Sequence, residues 1–219
     1  MSDVRIENSE FRADHLEWPF FDEEHRTLAS RIRQWAGREL WDAPEPDDVD
    51  AACRGLVRQL GDAGWLRYVV PAEYGGERTQ LDGRALCVIR ESLATASALA
   101  DFSFAMQGLG TGPITLFGSD ALKRRYLPDV ARGTRIAAFA ISEAGAGSDI
   151  GAMQTGARRD GDHFVLDGEK TWISNAGIAD HYVVFARLDD GTKAQDGDRR
   201  YIAVLVEADD PGLHVVERI

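Results

Sequence analysis

Apolar residues recur every three to four positions through the first part of the chain, which is the spacing of one helix face. Leu28, Ile32 and Trp35 follow this spacing after Asp22, a residue type that caps helix starts, so a helix is expected from there to about Leu40. Further helices are predicted in the same way over about residues 48–61, 82–99, 101–117 and 119–126. The first part of the chain is therefore predicted to be all helical.

Two of the predicted helices contain residues that disfavour helical backbone. Gly108, Gly110 and Gly112 lower the intrinsic helicity of the segment at 101–117, so close packing or a break is expected to compensate. Pro128 is expected to limit the short helix that follows, because proline lacks the N–H that a helix interior needs.

From Arg135 onward the pattern changes to short apolar runs typical of strands. Candidate strands lie at residues 136–141, 153–158, 163–166, 170–174, 181–187, 201–207 and 213–216. Asp160-Gly161, Asp167-Gly168 and the polar runs 189–200 and 209–212 separate them as turns would. This spacing predicts an antiparallel β-barrel or sandwich. The expected fold class is α+β, with an all-α N-terminal helical domain at residues 1–133 and a β domain at residues 134–219.

Composition narrows the classes of function. The 219 residues are 44% hydrophobic, which suffices for a globular core, and their formal net charge of -12 argues against nucleic acid as a partner. No apolar run reaches the roughly 18 residues of a membrane span, and the polar N-terminus lacks a signal-peptide core. Cys53 and Cys87 lie far apart among apolar helix positions, which favours two reduced, buried thiols over a disulfide. We therefore expect a cytoplasmic protein.

Spacing also disfavours several kinds of catalytic site. The five histidines form no pair three or four residues apart and no cluster with cysteine, so no metal site is expected. Pro113 and Ile150 stand where the two glycine-rich stretches would need the third glycine of a dinucleotide-binding G-x-G-x-x-G pattern. The G-x-S-x-G pattern of many serine hydrolases does not occur.

Two stretches in the predicted β domain combine the features of a ligand site. Residues 136–149 form an apolar strand pattern that runs into small residues and ends in Ser148 and Asp149. Glycines there allow close backbone approach, and clustered N–H groups bind anions. Residues 163–176 fit a hairpin with Asp167-Gly168 at its turn and Trp172 on the outgoing strand. Each pattern alone also fits a surface turn or a core tryptophan, but together they favour a flat aromatic ligand with a pyrophosphate tail.

Four segments, in order along the chain, carry a resemblance to a known family. They are Val70-Pro-Ala-Glu-Tyr-Gly-Gly76, the stretch 118–133 around Lys123-Arg-Arg-Tyr-Leu-Pro128, Phe139-Ala-Ile-Ser-Glu-Ala-Gly-Ala-Gly-Ser-Asp149, and Leu166-Asp-Gly-Glu-Lys-Thr-Trp-Ile-Ser-Asn175. On these segments the chain resembles the acyl-CoA dehydrogenases, flavoproteins in which a helical N-terminal domain precedes a β-rich middle domain. Ala144 departs from the family, which usually has proline at this place.

The resemblance also implies how much of the family fold is present. In the family the β domain continues for further strands and a helical bundle follows, whereas this sequence stops at Ile219 after a predicted strand. We therefore expect an N-terminal portion, truncated relative to the family, with an incomplete middle β domain and without the C-terminal bundle. The bundle supplies the base in the family, so no catalytic residue is expected in this chain. The chain alone is therefore expected to be inactive and to bind FAD weakly. Glu143 is expected to hold its loop through backbone N–H groups instead.

The implied cofactor is FAD, and the implied activity is α,β-dehydrogenation of an acyl thioester such as acyl-CoA, as in fatty acid metabolism. The cofactor-binding residues carried over from the resemblance are Phe139, Ile141, Ser142, Gly147, Ser148, Trp172, Ile173 and Ser174. Ser142 and Ser174 would donate hydrogen bonds to the flavin, and Trp172 would stack on it. Ser148 would also contact the substrate. The family further implies electron-transfer flavoprotein or another electron acceptor as a partner, and a homo-oligomer.

Two other interpretations are compatible with the same fold. The chain could be a non-catalytic partner subunit of a split or hetero-oligomeric complex, although a chain freed from cofactor binding need not keep the hydroxyls and the indole. It could also belong to a relative that acts on substrates tethered to acyl carrier protein, or to a flavin monooxygenase relative. The regions that would decide between these activities lie largely outside this sequence.

Overall fold

The computed structural model describes residues 14–41, 44–189 and 200–217. Most of the polar run predicted as a loop at 189–200 lies outside the described residues. Helices occupy the first part of the described chain and strands the second, as the α+β prediction requires. No helix within these described ranges is long and apolar enough to cross a membrane.

Five α-helices form close to where the apolar spacing predicted them. They are α1 (Glu23–Glu39), α2 (Val49–Asp62), α3 (Gly83–Ala96), α4 (Ala98–Phe117) and α5 (Asp120–Ala131). Each begins after a residue whose side chain accepts a hydrogen bond from the first turn, namely Asp22, Asp48, Asp82, Ser97 and Ser119. These caps satisfy N–H groups that a helix start leaves without a partner inside the helix.

The expectation that Pro128 limits the last helix is wrong. Pro128 lies inside α5, which continues to Ala131. Leu127 and Val130, on either side of the proline, are both fully buried. Their burial favours a continued helix over the break that the missing N–H would otherwise cause.

The expectation of two buried thiols holds for one cysteine only. Cys53 of α2 is buried, but Cys87 of α3 is exposed, because it lies on the face of α3 opposite the packed residues Val88 and Ile89.

Helix α4 lies at the centre of the helical part and packs on α2, α3, α5 and the first strand. Two of its three glycines, Gly108 and Gly110, are compensated by close packing as expected, whereas a Cβ at Gly112 would meet nothing within 4 Å. A Cβ atom at Gly110 would lie 2.6 Å from the Cβ of Ala137, and one at Gly108 would lie 3.2 Å from Val69. Only a residue without a side chain lets the backbone of α4 approach the sheet this closely.

The second part of the chain forms one five-stranded sheet. Its strands are β1 (Ala137–Ala140), β2 (Gly156–Asp160), β3 (His163–Asp167), β4 (His181–Asp189) and β5 (Tyr201–Glu207). Strand β4 pairs with β1 and β2 in parallel, and with β5 antiparallel, while β2 and β3 form an antiparallel hairpin. The sheet is therefore mixed, which corrects the expectation of antiparallel pairing throughout. Turn signals between consecutive strands predicted antiparallel pairs. They do not report that β1 and β2 pair in parallel with the first and the last part of β4.

Two of the predicted strands do not form. Residues 170–174 are irregular: Trp172 takes a left-handed backbone conformation with a φ of 60°, which interrupts a strand, and Asn175, directly after the stretch, has a φ of 67°. Residues 213–216 also lack strand structure, and Val216 is exposed.

Two polar side chains, the buried Gln107 and the half-buried Glu207, join the helices to the sheet. Gln107 of α4 is fully buried; its Nε2 donates to the carbonyl of Arg135 at 2.7 Å, and its Oε1 accepts from the N–H of Ala137 at 2.9 Å. Glu207, at the end of β5, accepts hydrogen bonds from Tyr126 of α5 at 2.5 Å and from Arg135. The helical part is thus fixed to β1 by an amide and to β5 by a carboxylate.

His181 lies beside Arg135 and Tyr126 and is fully buried. Its Nδ1 accepts a hydrogen bond from Nε of Arg135 at 3.2 Å, so its proton is on Nε2 and the ring is neutral. Burial, and then the charge of Arg135, lower the pKa of His181 to about 4, against the opposing effect of Glu207. The imidazole therefore remains uncharged at neutral pH.

Candidate functional site

Two segments of irregular backbone meet at the end of β1. We call residues 141–149 the glycine-rich loop and residues 168–176 the tryptophan segment. Nζ of Lys170 donates to the carbonyl of Ile141 at 3.0 Å, and the N–H of Thr171 donates to the carbonyl of Ser142 at 2.9 Å. The side chain of Asn175 donates to the carbonyl of Ala137 in β1 at 2.9 Å. The two stretches selected from the sequence are therefore neighbours in the fold.

Glu143 holds the glycine-rich loop against the start of β2. Its carboxylate accepts from the backbone N–H groups of Gln154 and Thr155 at 2.7 and 3.0 Å, from the Thr155 hydroxyl at 2.5 Å, and from Lys170 at 2.7 Å. The two N–H contacts confirm the expectation that Glu143 binds backbone. Burial alone would raise the pKa of Glu143, but the hydrogen bond from Lys170 and those from Thr155 and Gln154 lower it to about 2. A carboxylate this acidic is unsuited to act as a general base near neutral pH.

Trp172 is presented to solvent by the tryptophan segment. Its side chain is 75% exposed, and its backbone has the φ of 60° described above. A bulky residue in the left-handed region is uncommon and costs free energy, so it persists only where the surroundings fix it. Here the contacts of Lys170, Thr171 and Asn175 provide that constraint. The indole is therefore exposed on an irregular segment, and not on the strand that was predicted for residues 170–174.

The predicted hairpin turn at Asp167-Gly168 is also wrong. The hairpin turn lies at Gly161 and Asp162, between β2 and β3, where the Asp160-Gly161 turn signal predicted one. Gly168 has a φ of 153°, and a Cβ there would lie 2.5 Å from Oγ1 of Thr155. This glycine brings the tryptophan segment close to β2 and does not form the hairpin turn.

The residues carried over from the family resemblance lie in or beside these segments. Phe139 is in β1, half-buried, with its ring 4.8 Å from that of Phe185. The half-buried members are Ile141, Ser142, Ile173 and Ser174, and the exposed members are Gly147, Ser148 and Trp172. The structure brings Ile141 and Ser142 together with residues 170–171. Contact of Ser148 and Trp172 with one common ligand stays a prediction.

A small cavity of about 240 Å³ lies where these segments meet. Glu143, Gly145, Thr155, Gly168 and Thr171 are among the residues that line it. The Oγ1 atom of Thr171 is buried and has no hydrogen-bond partner. A buried hydroxyl without a partner can bind a polar ligand group. The residues that line this cavity include none of the eight carried over from the family resemblance, so the cavity lies beside the proposed flavin contacts and not among them.

Sequence reasoning missed two residues of this site. Lys170 belongs to one of the four family segments but was given no role, although the nine residues that follow it, 171–179, carry no charge. A lysine at the start of a long uncharged run could have been singled out, because its ammonium group must either reach solvent or bind a buried partner. Thr155 gave no signal, because its contact with Glu143 depends on the path of β2. Within the described ranges, no group of three or more His, Cys, Asp or Glu residues is placed to hold a metal ion.

Comparisons with known proteins point to one family. A family model described as "Acyl-CoA dehydrogenase, N-terminal domain" matches residues 22–134, and one described as "Acyl-CoA dehydrogenase, middle domain" matches residues 138–219. A 3-(aryl)acrylate reductase of Clostridium sporogenes is 38% identical over 181 residues, which are 80% of this chain and 47% of that protein. A probable acyl-CoA dehydrogenase of Bacillus subtilis is 36% identical over 199 residues, which are 88% of this chain and 32% of that protein.

A solved structure agrees with these matches. The acyl-CoA dehydrogenase from Bacillus anthracis, complexed with FAD, superposes with a TM-score of 0.72 at 34% identity, over 88% of this chain and 32% of that one. The chain thus spans about a third to a half of the length of these relatives. Both family models, which together match nearly all of the chain from residue 22, confirm the family predicted from the four sequence segments. The chain belongs to the acyl-CoA dehydrogenase family.

Proposed function

We propose that this chain is part of an FAD-dependent acyl-CoA dehydrogenase, and that it supplies one side of the flavin site. The observation that carries the proposal is the exposed indole of Trp172, held in a left-handed backbone conformation beside the glycine-rich loop. An exposed aromatic ring on a constrained backbone suits stacking on a flat cofactor. The FAD complex of the Bacillus anthracis relative supports the choice of cofactor.

The proposed flavin-binding residues are those carried over from the resemblance. Phe139, Ile141 and Ile173 would provide apolar contacts, and Ser142 and Ser174 hydroxyl groups would orient the polar edge of the ring. Gly147 and Ser148 would allow the phosphates to approach, because a Cβ at Gly147 would meet nothing within 4 Å. Ser148 would also contact the acyl thioester. The exposure of Gly147 and Ser148 is compatible with these roles.

Bound FAD supplies the hydride acceptor for α,β-dehydrogenation of an acyl thioester. The residues of this chain would bind and orient the ring and exclude water from one side of it. None of them is assigned as the base: Glu143 has four hydrogen-bond donors around its carboxylate. We further propose the division into domains at 1–133 and 134–219, which the change from helices to strands supports.

The substrate, the electron acceptor, the pathway and the oligomeric state are also proposed from the family resemblance. Acyl-CoA is the proposed substrate, electron-transfer flavoprotein or a similar protein the proposed acceptor, and fatty acid metabolism the proposed pathway. A homo-oligomer in the cytoplasm is the proposed state. The net charge of -12 is compatible with a protein that meets an anionic coenzyme only at a local site rich in N–H groups.

Titration with FAD tests the proposed function. The protein is expected to bind FAD weakly, because it supplies only one side of the proposed site, with a change in the visible absorbance of the flavin. Trp172→Ala should weaken binding about tenfold, since an aromatic pair contributes about 0.5–1.5 kcal/mol and tenfold corresponds to about 1.4 kcal/mol. Trp18, which is also exposed, provides the control. Equal FAD affinity for Trp172→Ala and Trp18→Ala would contradict the stacking role, and no binding by the unaltered protein would contradict the proposed function.

A further inference from the structure

Lys170 lies at the junction of the glycine-rich loop and the tryptophan segment, and the proposed function gives it no role. Its ammonium group donates to the carbonyl of Ile141 at 3.0 Å and to Oε1 of Glu143 at 2.7 Å. Only 10% of its side chain is exposed. Lysine is rarely buried, because removing an ammonium group from water is costly unless its partners replace the lost hydrogen bonds. Both partners lie in the glycine-rich loop, so the ammonium group fixes that loop to the tryptophan segment.

The next residue makes a second link between the same two segments. The N–H of Thr171 donates to the carbonyl of Ser142 at 2.9 Å. Consecutive carbonyl groups of the loop are thus bound by consecutive residues of the tryptophan segment. A shift of one residue between the segments would break both links, so these contacts define a single register.

The register matters because proposed flavin-binding residues lie directly beside the links. Ser142 provides one of the bound carbonyl groups, and Trp172 follows Thr171 in the chain. The position of the Ser142 hydroxyl relative to the Trp172 indole therefore depends on the contacts of Lys170. The left-handed conformation of Trp172 leaves little freedom between the link and the ring.

Glu143 extends the same linkage to the sheet. Its carboxylate, which pairs with Lys170, also accepts from the N–H groups of Gln154 and Thr155 at the start of β2. Removing the ammonium group would leave the carbonyl of Ile141 without this donor. The buried carboxylate of Glu143 would keep three neutral donors but lose its only opposite charge within hydrogen-bond distance. A buried charge that has lost its partner drives local rearrangement or the entry of water.

We propose that Lys170 is a positioning residue, which sets the register of Ser142 against Trp172 and thereby controls how tightly FAD is held. The inference rests on the proposed function of those two residues. Lys170 itself touches neither the flavin nor the reacting atoms, and it acts through the loop and the segment that it joins.

Amide hydrogen exchange in the protein without FAD tests the structural half of the proposal. Lys170→Met should accelerate exchange of the Thr171, Gln154 and Thr155 amides by about tenfold or more, because their acceptors lie in the loop that is released. Arg90→Met is the matched control, since it removes a pair of 2.8 Å between Arg90 of α3 and Asp101 of α4, away from the site. Unchanged exchange in Lys170→Met would overturn the proposal.

Titration of the same variants with FAD tests the functional half. Lys170→Met should bind FAD about tenfold or more weakly and with an altered visible spectrum, whereas Arg90→Met should match the unaltered protein in both. Lys170→Arg keeps the positive charge but places it on a planar guanidinium group, so its FAD affinity should be intermediate. If Lys170→Met does not fold, Lys170→Arg is compared with the unaltered protein instead. Normal affinity and spectrum in the lysine variants would overturn the positioning role. Absence of FAD binding by the unaltered protein would overturn the proposed function, while amide exchange would still decide whether Lys170 holds the loop.

Discussion

Replacement of Gln107 by methionine should destabilise the protein by removing the link between α4 and β1. The amide is fully buried and binds two backbone groups, the carbonyl of Arg135 and the N–H of Ala137. Methionine has a similar length but can neither donate nor accept these bonds. A buried backbone group left without a partner costs about 1–3 kcal/mol, and Arg135 is only half-buried. We therefore expect a loss of about 2–4 kcal/mol in the free energy of unfolding.

Urea unfolding, followed by tryptophan fluorescence, measures this loss. The transition midpoint should fall without a change in its slope, and the melting temperature should fall by roughly 4–16 °C for a chain of this size. Gln34→Met is the control, because Gln34 lies on α1 with its side chain exposed and should change the free energy of unfolding by less than about 0.5 kcal/mol. Exchange of the Ala137 amide should accelerate only in Gln107→Met. A loss below about 1 kcal/mol in that variant would refute the reasoning from unpaired backbone groups.

Three further predictions follow from packing, charge and capping. Gly110→Val should lower the free energy of unfolding by about 1–3 kcal/mol or more, because its Cβ would meet Ala137 at 2.6 Å; an unchanged urea midpoint would show that α4 can move away from the sheet. His181, with its pKa lowered from 6.5 to about 4, contributes stability that is complete above pH 6.5 and is lost as the pH falls towards 4, up to about 3 kcal/mol. Glu143, with its pKa lowered from 4.5 to about 2, adds a loss between those values, so urea midpoints measured from pH 7 to pH 3 should fall steadily rather than stay level. Asp48→Ala should cost about 0.5–2 kcal/mol by removing the cap of α2, and equal thermal melts of the variant and the unaltered protein would contradict this.

The helices were predictable because their signals are local. Asp22 caps α1 and Asp82 caps α3 through contacts within three residues, and the apolar spacing places each helix face without reference to the rest of the chain. Pro128 shows the limit of such reasoning. Its position inside α5 depends on the burial of neighbouring side chains, which the local pattern does not report.

The sheet and the site were predictable only in part. The apolar runs placed five strands correctly, but pairing depends on contacts between distant residues, and β1 and β2 both pair with β4 in parallel. The run around Trp172 has a strand-like composition, yet its backbone is determined by contacts with Ser142 and Ala137. The glycine-rich loop and the indole were found from motifs. The lysine that joins them was not assigned a role, because its partners lie 27 and 29 residues away.

The position of β4 late in the chain, after both strands with which it pairs in parallel, affects how the protein folds. Its first residue, His181, aligns with Ala137 of β1, which is 44 positions earlier in the chain, and its later residues align with β2. Neither early strand has a parallel neighbour until this late one arrives, so sheet formation requires closure of a long chain segment and is expected to be slow. Polypeptides that end before residue 181 would retain the hairpin of β2 and β3 but would lack the strand that unites it with β1.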